Sequence, residues 1–224
     1  MAFEGPYPQP AEQLIASYNY IDVAEGTGII NYYGIITSEG GRLTTNPLYS
    51  TVVQTKGSKI TGTSWGKSID KDFDLDLNLP QNVKGTMLIN VCGTGIRAGA
   101  VNGNVQDYYI IKLRKYDGTT ETEIASVTTT VSSHVSGSLQ DRMIQAIEME
   151  VPRTHYKAGD ILRITVEGWC RLESDASNKT EFLIGTDPMN RDGSNATTQN
   201  IVPSTDDPTT TTKLNFYIPF ELKL

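Results

Sequence analysis

The chain has 224 residues, of which 38% are apolar and 20% charged, with a formal net charge of -7. This suits one sandwich- or barrel-sized β domain and is too ordinary a charge content for wholesale disorder. The acidic balance disfavours nucleic acid, whose binders cluster Lys and Arg, and no apolar run approaches the roughly 18 residues of a membrane span.

Residues 1–17 read as an extended N-terminal arm, because Pro6, Pro8 and Pro10 exclude a central strand there. The remainder, 18–224, reads as a single domain with a period of two. Ile29–Ile36 is an apolar, aromatic strand interrupted by Gly34, and Leu48–Thr55 is a second candidate. In Asp70–Leu79 the residues Phe73, Leu75, Leu77 and Leu79 face one way. Asp72, Asp74, Asp76 and Asn78 face the other, as a solvated row that discourages stray sheet pairing. Val83–Val91 follows, then Tyr109–Leu113, a tight turn at Asp117-Gly118, and Glu123–Val131 as the returning half of a hairpin. Met143–Val151, Leu162–Val166, Phe182–Ile184 and Leu214–Leu224 complete nine or ten strands with no long helix. Long loops are expected at 93–106 and 185–212. The fold class is therefore all-β, an antiparallel β-sandwich, and a jelly roll at this length, since Greek-key crossovers absorb such loops.

Material for a catalytic or metal site is sparse, and none is assigned. Gly62-Thr63-Ser64-Trp65-Gly66 matches the G-x-S-x-G elbow, but that elbow needs a helix after it and an alternating β segment follows instead. His134 and His155 sit in turns at no metal-ligand spacing. Asp187–Asn195 offers oxygen ligands around a Gly turn without the EF-hand order, and a plain turn explains it as well. Cys92 and Cys170 lie in strands, either as two buried thiols or as one disulfide. The thiols are favoured, because Met1–Pro6 lacks a signal-peptide pattern and points to synthesis in the cytoplasm. Tyr32-Tyr33 and Tyr108-Tyr109 each put one ring on either sheet face, and a sugar platform would require several coplanar rings on one exposed face. No cofactor is implied. The chain is expected to be a structural or binding part and not an enzyme.

Several stretches carry a resemblance: Tyr20–Gly28, Asp117–Ala125, Ala158–Glu167, Asp187–Gly193, Ile201–Thr205 and Phe216–Phe220. Together they resemble the β-sandwich structural proteins of tailed phages. The resemblance implies a capsid decoration (cement) protein on the outer head surface, contacting the major capsid protein and self-associating, as a homotrimer. A single-jelly-roll coat or tail component and a carbohydrate-binding module remain as alternatives.

Overall fold

The computed structural model describes residues 27–47, 50, 52, 54–98, 104–135, 143–188 and 213–221. The expected arm and most of the 185–212 loop, including the oxygen-rich turn beyond Pro188, lie outside the described residues. Thirteen strands are found among those described: β1 (Thr27–Thr37), β2 (Gly40–Thr44), β3 (Gln54–Lys56), β4 (Ile60–Thr61), β5 (Gly66–Asp76), β6 (Gln81–Ala98), β7 (Asn104–Tyr116), β8 (Glu121–Thr128), β9 (Ser132–Val135), β10 (Met143–Tyr156), β11 (Ile161–Leu172), β12 (Lys179–Gly185) and β13 (Asn215–Glu221).

The order β10-β6-β13-β1 forms one layer and β5-β11-β7-β8 the other. The chain crosses between them at β1–β5, β5–β6, β6–β7, β8–β10, β10–β11 and β11–β13, which is the jelly-roll winding. Among the described residues all the ladders are antiparallel except one parallel bridge, Arg42↔Asp74, where β2 turns the corner from one layer to the other. β12 continues the line of β13 along the far half of β6 and carries β3 and β4 on its other side.

The core lies between the layers. Val83, Met87, Ile89 and Val91 of β6 and Phe216 and Ile218 of β13 are buried against Phe73 of β5, Ile111 and Leu113 of β7 and Ile164 and Val166 of β11. Phe73 and Phe216 meet across it with ring centroids 5.9 Å apart. Burial of each such ring stabilises the fold by roughly 2–3 kcal/mol. The expected alternation in β13 is met at Leu214, Phe216, Ile218 and Phe220, all buried. Along 73–79 it holds for Phe73 and, just past β5, for Leu77, both buried; Leu75 is half-buried, and Leu79 is 68% exposed, because the strand ends at Asp76. The β7–β8 hairpin also forms as read. Asp117 accepts hydrogen bonds from the Thr119 and Thr120 amides, and Gly118 takes φ 92°, a conformation that suits glycine.

One expected loop is replaced by strand. β6 runs on to Ala98 and β7 starts at Asn104, so most of 93–106 is paired. Its glycines admit close neighbours instead of breaking the strand. A Cβ at Gly95 would lie 2.8 Å from Val105 Cγ1, and one at Gly93 would lie 2.4 Å from the Leu183 carbonyl oxygen. The candidate strand Leu48–Thr55 shrinks, among described residues, to β3.

Candidate functional site

The two outer faces of the sandwich differ in chemistry. On β5-β11-β7-β8 the strand pleat turns out Asp70, Asp72 and Asp74 from β5, Arg163, Thr165 and Glu167 from β11, and Lys112 and Arg114 from β7. The ladder register sets them side by side. Arg163 grips Asp74 with two bonds, Nε to Oδ1 at 2.7 Å and Nη2 to Oδ2 at 2.8 Å, and its Nη1 reaches Glu121 at 3.3 Å. Asp72 accepts from the Thr165 hydroxyl at 2.5 Å. The Asp row is thus woven into a cross-strand lattice and is not merely solvated: the Asp74 side chain is only 18% exposed. Replacing Arg163 by lysine keeps the charge but loses the two-pronged grip. Because the pair is partly exposed, the expected loss is about 1 kcal/mol, read from a double-mutant cycle with Asp74→Asn. A coupling energy of zero would show the lattice to be decorative.

Glu167 is the best-buried carboxylate on this face, its side chain 4% exposed. It accepts from Lys112 Nζ at 2.7 Å and Trp169 Nε1 at 2.9 Å, with Lys67 Nζ at 3.6 Å. Burial alone would raise its pKa, but the bonds from Lys112 and Trp169 and the two ammonium charges hold it below the usual carboxylate value. Asp160 is likewise lowered, first by its bond from Lys115 and then by the Lys157 amide. Both folded-state values lie below the unfolded ones, so their contribution is complete above about pH 4.5 and is lost as pH falls through the lowered values. The urea midpoint should stay flat from pH 7 to about 5 and drop below about 4.5. Lys112→Met should be less stable at pH 7 and lose less on acidification.

At the end of this face the only two tryptophans of the chain converge. Trp169 on β11 pairs directly with Tyr108 on β7, and their rings stack at 6.0 Å with 9° between planes. Trp65, just before β5, meets Tyr108 edge-on at 4.8 Å and 70°. Arg171 places its guanidinium 4.6 Å over the Trp65 ring and donates to Gln106. Tyr108 and Trp169 therefore spend ring faces on each other and do not form a flat platform. Tyr109 points inward as expected, against Phe182 at 5.0 Å. A surface groove of about 370 Å³ lies alongside, lined by Lys56, Gly57, Ser58 and Lys67–Lys71.

The outer face of β10-β6-β13-β1 is different. Across its middle run Leu88, Tyr217 and Asn31 in register, flanked by Ile29 and Tyr33. Leu88 is 40% exposed, and Ile29, Asn31, Tyr33 and Tyr217 are half-buried. Charge is displaced to the rim, with Glu148 and Glu150 on the border strand β10 and an Arg153–Glu221 pair at one end.

The remaining sequence candidates do not assemble. Ser64 is exposed in the turn between β4 and β5, and a strand follows it instead of a helix. His155 is exposed and bonds to Asn82 at 2.7 Å, while His134 lies on β9 opposite Val105. Cys92 and Cys170 are both buried and unbridged, and burial pushes the Cys170 thiol up to about 12. Among the described residues no three His, Cys, Asp or Glu side chains are placed to hold a metal ion.

No protein-family model matches the chain, and no curated protein matches its sequence. Solved structures do share its fold. An aminopeptidase from a marine sediment Thaumarchaeota archaeon matches at 7% identity and TM-score 0.54, over 88% of this chain and 37% of that one. A CocE/NonD family hydrolase from Staphylococcus aureus matches at 8% identity and TM-score 0.49, over 88% and 37%. The VP2 subviral particle of infectious bursal disease virus reaches 10% identity over 76% and 39%, at a TM-score of 0.18 that carries no weight. The chain spans 37% of the length of the two hydrolytic chains. The aminopeptidase match overturns the expectation that the chain is not an enzyme, because this fold occurs within a chain of that name. That expectation rested on sparse His and Cys, yet a sandwich forming a third of an enzyme need not carry the reacting groups itself. At such identity the likeness is one of fold and assigns no activity.

Proposed function

We propose that this chain is an assembly module that docks on another protein surface through the outer face of β10-β6-β13-β1. In the form suggested by the sequence resemblance, it is a virion part of the capsid-decoration kind, self-associating as a trimer and seated on the major capsid protein. The observation that carries the reading is the contrast between the two outer faces. One is laced by ion pairs satisfied within the chain. The other keeps charge at its rim and sets Leu88, Tyr217, Ile29 and Tyr33 at its middle, the pattern of interface centres, which are poor in charge and rich in aromatic residues.

The first test is copy number in gradient-purified particles by quantitative mass spectrometry. Tens to hundreds of copies per particle support the reading, and absence from particles rejects its virion form. Leu88→Lys then tests the face, its ammonium standing opposite Glu148 in the ladder. Leu88 is exposed, so the fold should keep its stability within about 0.5 kcal/mol, while occupancy falls at least tenfold. Unchanged occupancy would move the docking surface elsewhere. A second reading, a domain belonging to a larger hydrolase, is favoured by the fold shared with chains of which this one spans 37%. It gains if the protein is missing from particles and co-purifies with ester- or peptide-cleaving activity.

A further inference from the structure

We propose that the aromatic corner of β5-β11-β7, together with the groove beside it, binds an uncharged oligosaccharide. The argument starts from Trp65. Arg171 lies over its indole and Tyr108 meets it in an edge-to-face contact, and among the described residues no other ring or cation contacts it. Its indole N–H makes no hydrogen bond among the described residues, and the side chain is only half-buried. Arg171, held by Gln106, and Tyr108, stacked on Trp169, fix Trp65 from two sides, so the ring is preorganised without being consumed.

The chemistry around that ring selects the ligand class. Arg171 stands over the ring, and two residues beyond Trp65 the groove begins, with Lys67 and Ser58 as donors and Asp70 as an acceptor. Lys67 Nζ sits 2.5 Å from Asp70 and 3.6 Å from Glu167 and also lines the groove. An anion would meet Asp70, a cation would meet the ammonium and guanidinium groups, and an apolar side chain would strip water from these partly exposed groups without bonding them. A sugar offers what the corner asks for: a C–H face to lie on the indole, and hydroxyls that both donate and accept. The groove volume of about 370 Å³ falls in the usual range for small-ligand clefts. Its floor is fixed by backbone, with the Gly57 amide donating to the Phe182 carbonyl and the Ser58 amide to the Ser68 carbonyl, each at 2.8 Å.

Because both tryptophans lie in this corner, intrinsic emission reports on it directly. The full chain should be titrated with glucose-, mannose-, galactose- and N-acetylglucosamine-based hexasaccharides. At least one should shift the emission saturably. Trp65→Ala should weaken that binding at least tenfold, and Trp65→Phe should retain most of it. Should Trp65→Ala melt well below wild type, Lys67→Met with Asp70→Asn, which leaves the rings in place, serves instead and should lose tenfold as well. No shift with any of the four, or undiminished binding by the folded variants, overturns the proposal. That failure would leave the docking face on the opposite layer untouched.

Discussion

Replacing Asp107 by alanine is expected to destabilise the fold by about 3 kcal/mol, the upper range for leaving buried donors without their acceptor. Asp107 lies on β7, yet its carboxylate reaches into the other layer, and the residue is 2% exposed. Oδ2 accepts the Gly95 amide of β6 at 2.5 Å and the Thr94 hydroxyl at 3.3 Å, while Oδ1 accepts the Ser132 hydroxyl of β9 at 2.9 Å. One side chain thus ties three strands and both layers at the end where β6 leaves the main ladder. Alanine would leave the Gly95 amide buried without this acceptor and open a polar hole. Asparagine can present its oxygen to Gly95 and its amide to Ser132, so Asp107→Asn should lose only about 1–2 kcal/mol. Urea unfolding of both variants at pH 7 measures the difference. A loss below 1 kcal/mol for alanine would mean that the tie contributes little.

How much of this was legible in the sequence depended on whether the pattern was local. The strands β5, β7 and β13 were visible because one face of each is core, and a period of two follows directly from the pleat. The Asp117-Gly118 hairpin was visible because its turn chemistry is contained in four residues. The Asp row was seen, but not its partner, since Arg163 lies 89 positions from Asp74 and only the β5–β11 register brings them together. The aromatic corner was half seen. The Tyr108-Tyr109 pair shows one ring on each face, whereas Trp65 and Trp169 stay unconnected, because no spacing rule links residues so far apart in the chain. β4 and β9 escaped notice because each is short and pairs with a strand remote in sequence, so its existence is decided by the partner; β2, a five-residue return of β1, carries too short an apolar pattern to show a period. The apolar middle of the other outer face was illegible because Leu88, Tyr217 and Ile29 look like scattered apolar residues until three strands are laid side by side.

The glycines of β6 led the reading furthest astray, and they give the second large effect. Gly93 to alanine should cost about 3 kcal/mol, the upper range of overpacking, although a chain-entropy argument alone would have it stabilise a strand. Gly93 is hemmed in on both edges, facing Met143 of β10 and Ile184 of β12. A Cβ there would stand 2.4 Å from the Leu183 carbonyl oxygen and 2.5 Å from the Tyr109 hydroxyl. Neither neighbour can yield cheaply. The carbonyl belongs to backbone paired on both sides, and the Tyr109 ring is 1% exposed and set edge-on against Phe182. The methyl must therefore force β12 away from β6 at the point where the jelly roll joins its side ladder. Gly118→Ala is the matched control. It meets nothing within 4 Å but must hold a φ of 92°, so it should lose only about 1–2 kcal/mol through backbone strain. Urea titration, with near-UV circular dichroism to watch the Tyr109–Phe182 packing, separates the two causes. If Gly93→Ala unfolds with the wild-type midpoint, the close approach of β12 is not a constraint, and the glycine is there for some reason other than space.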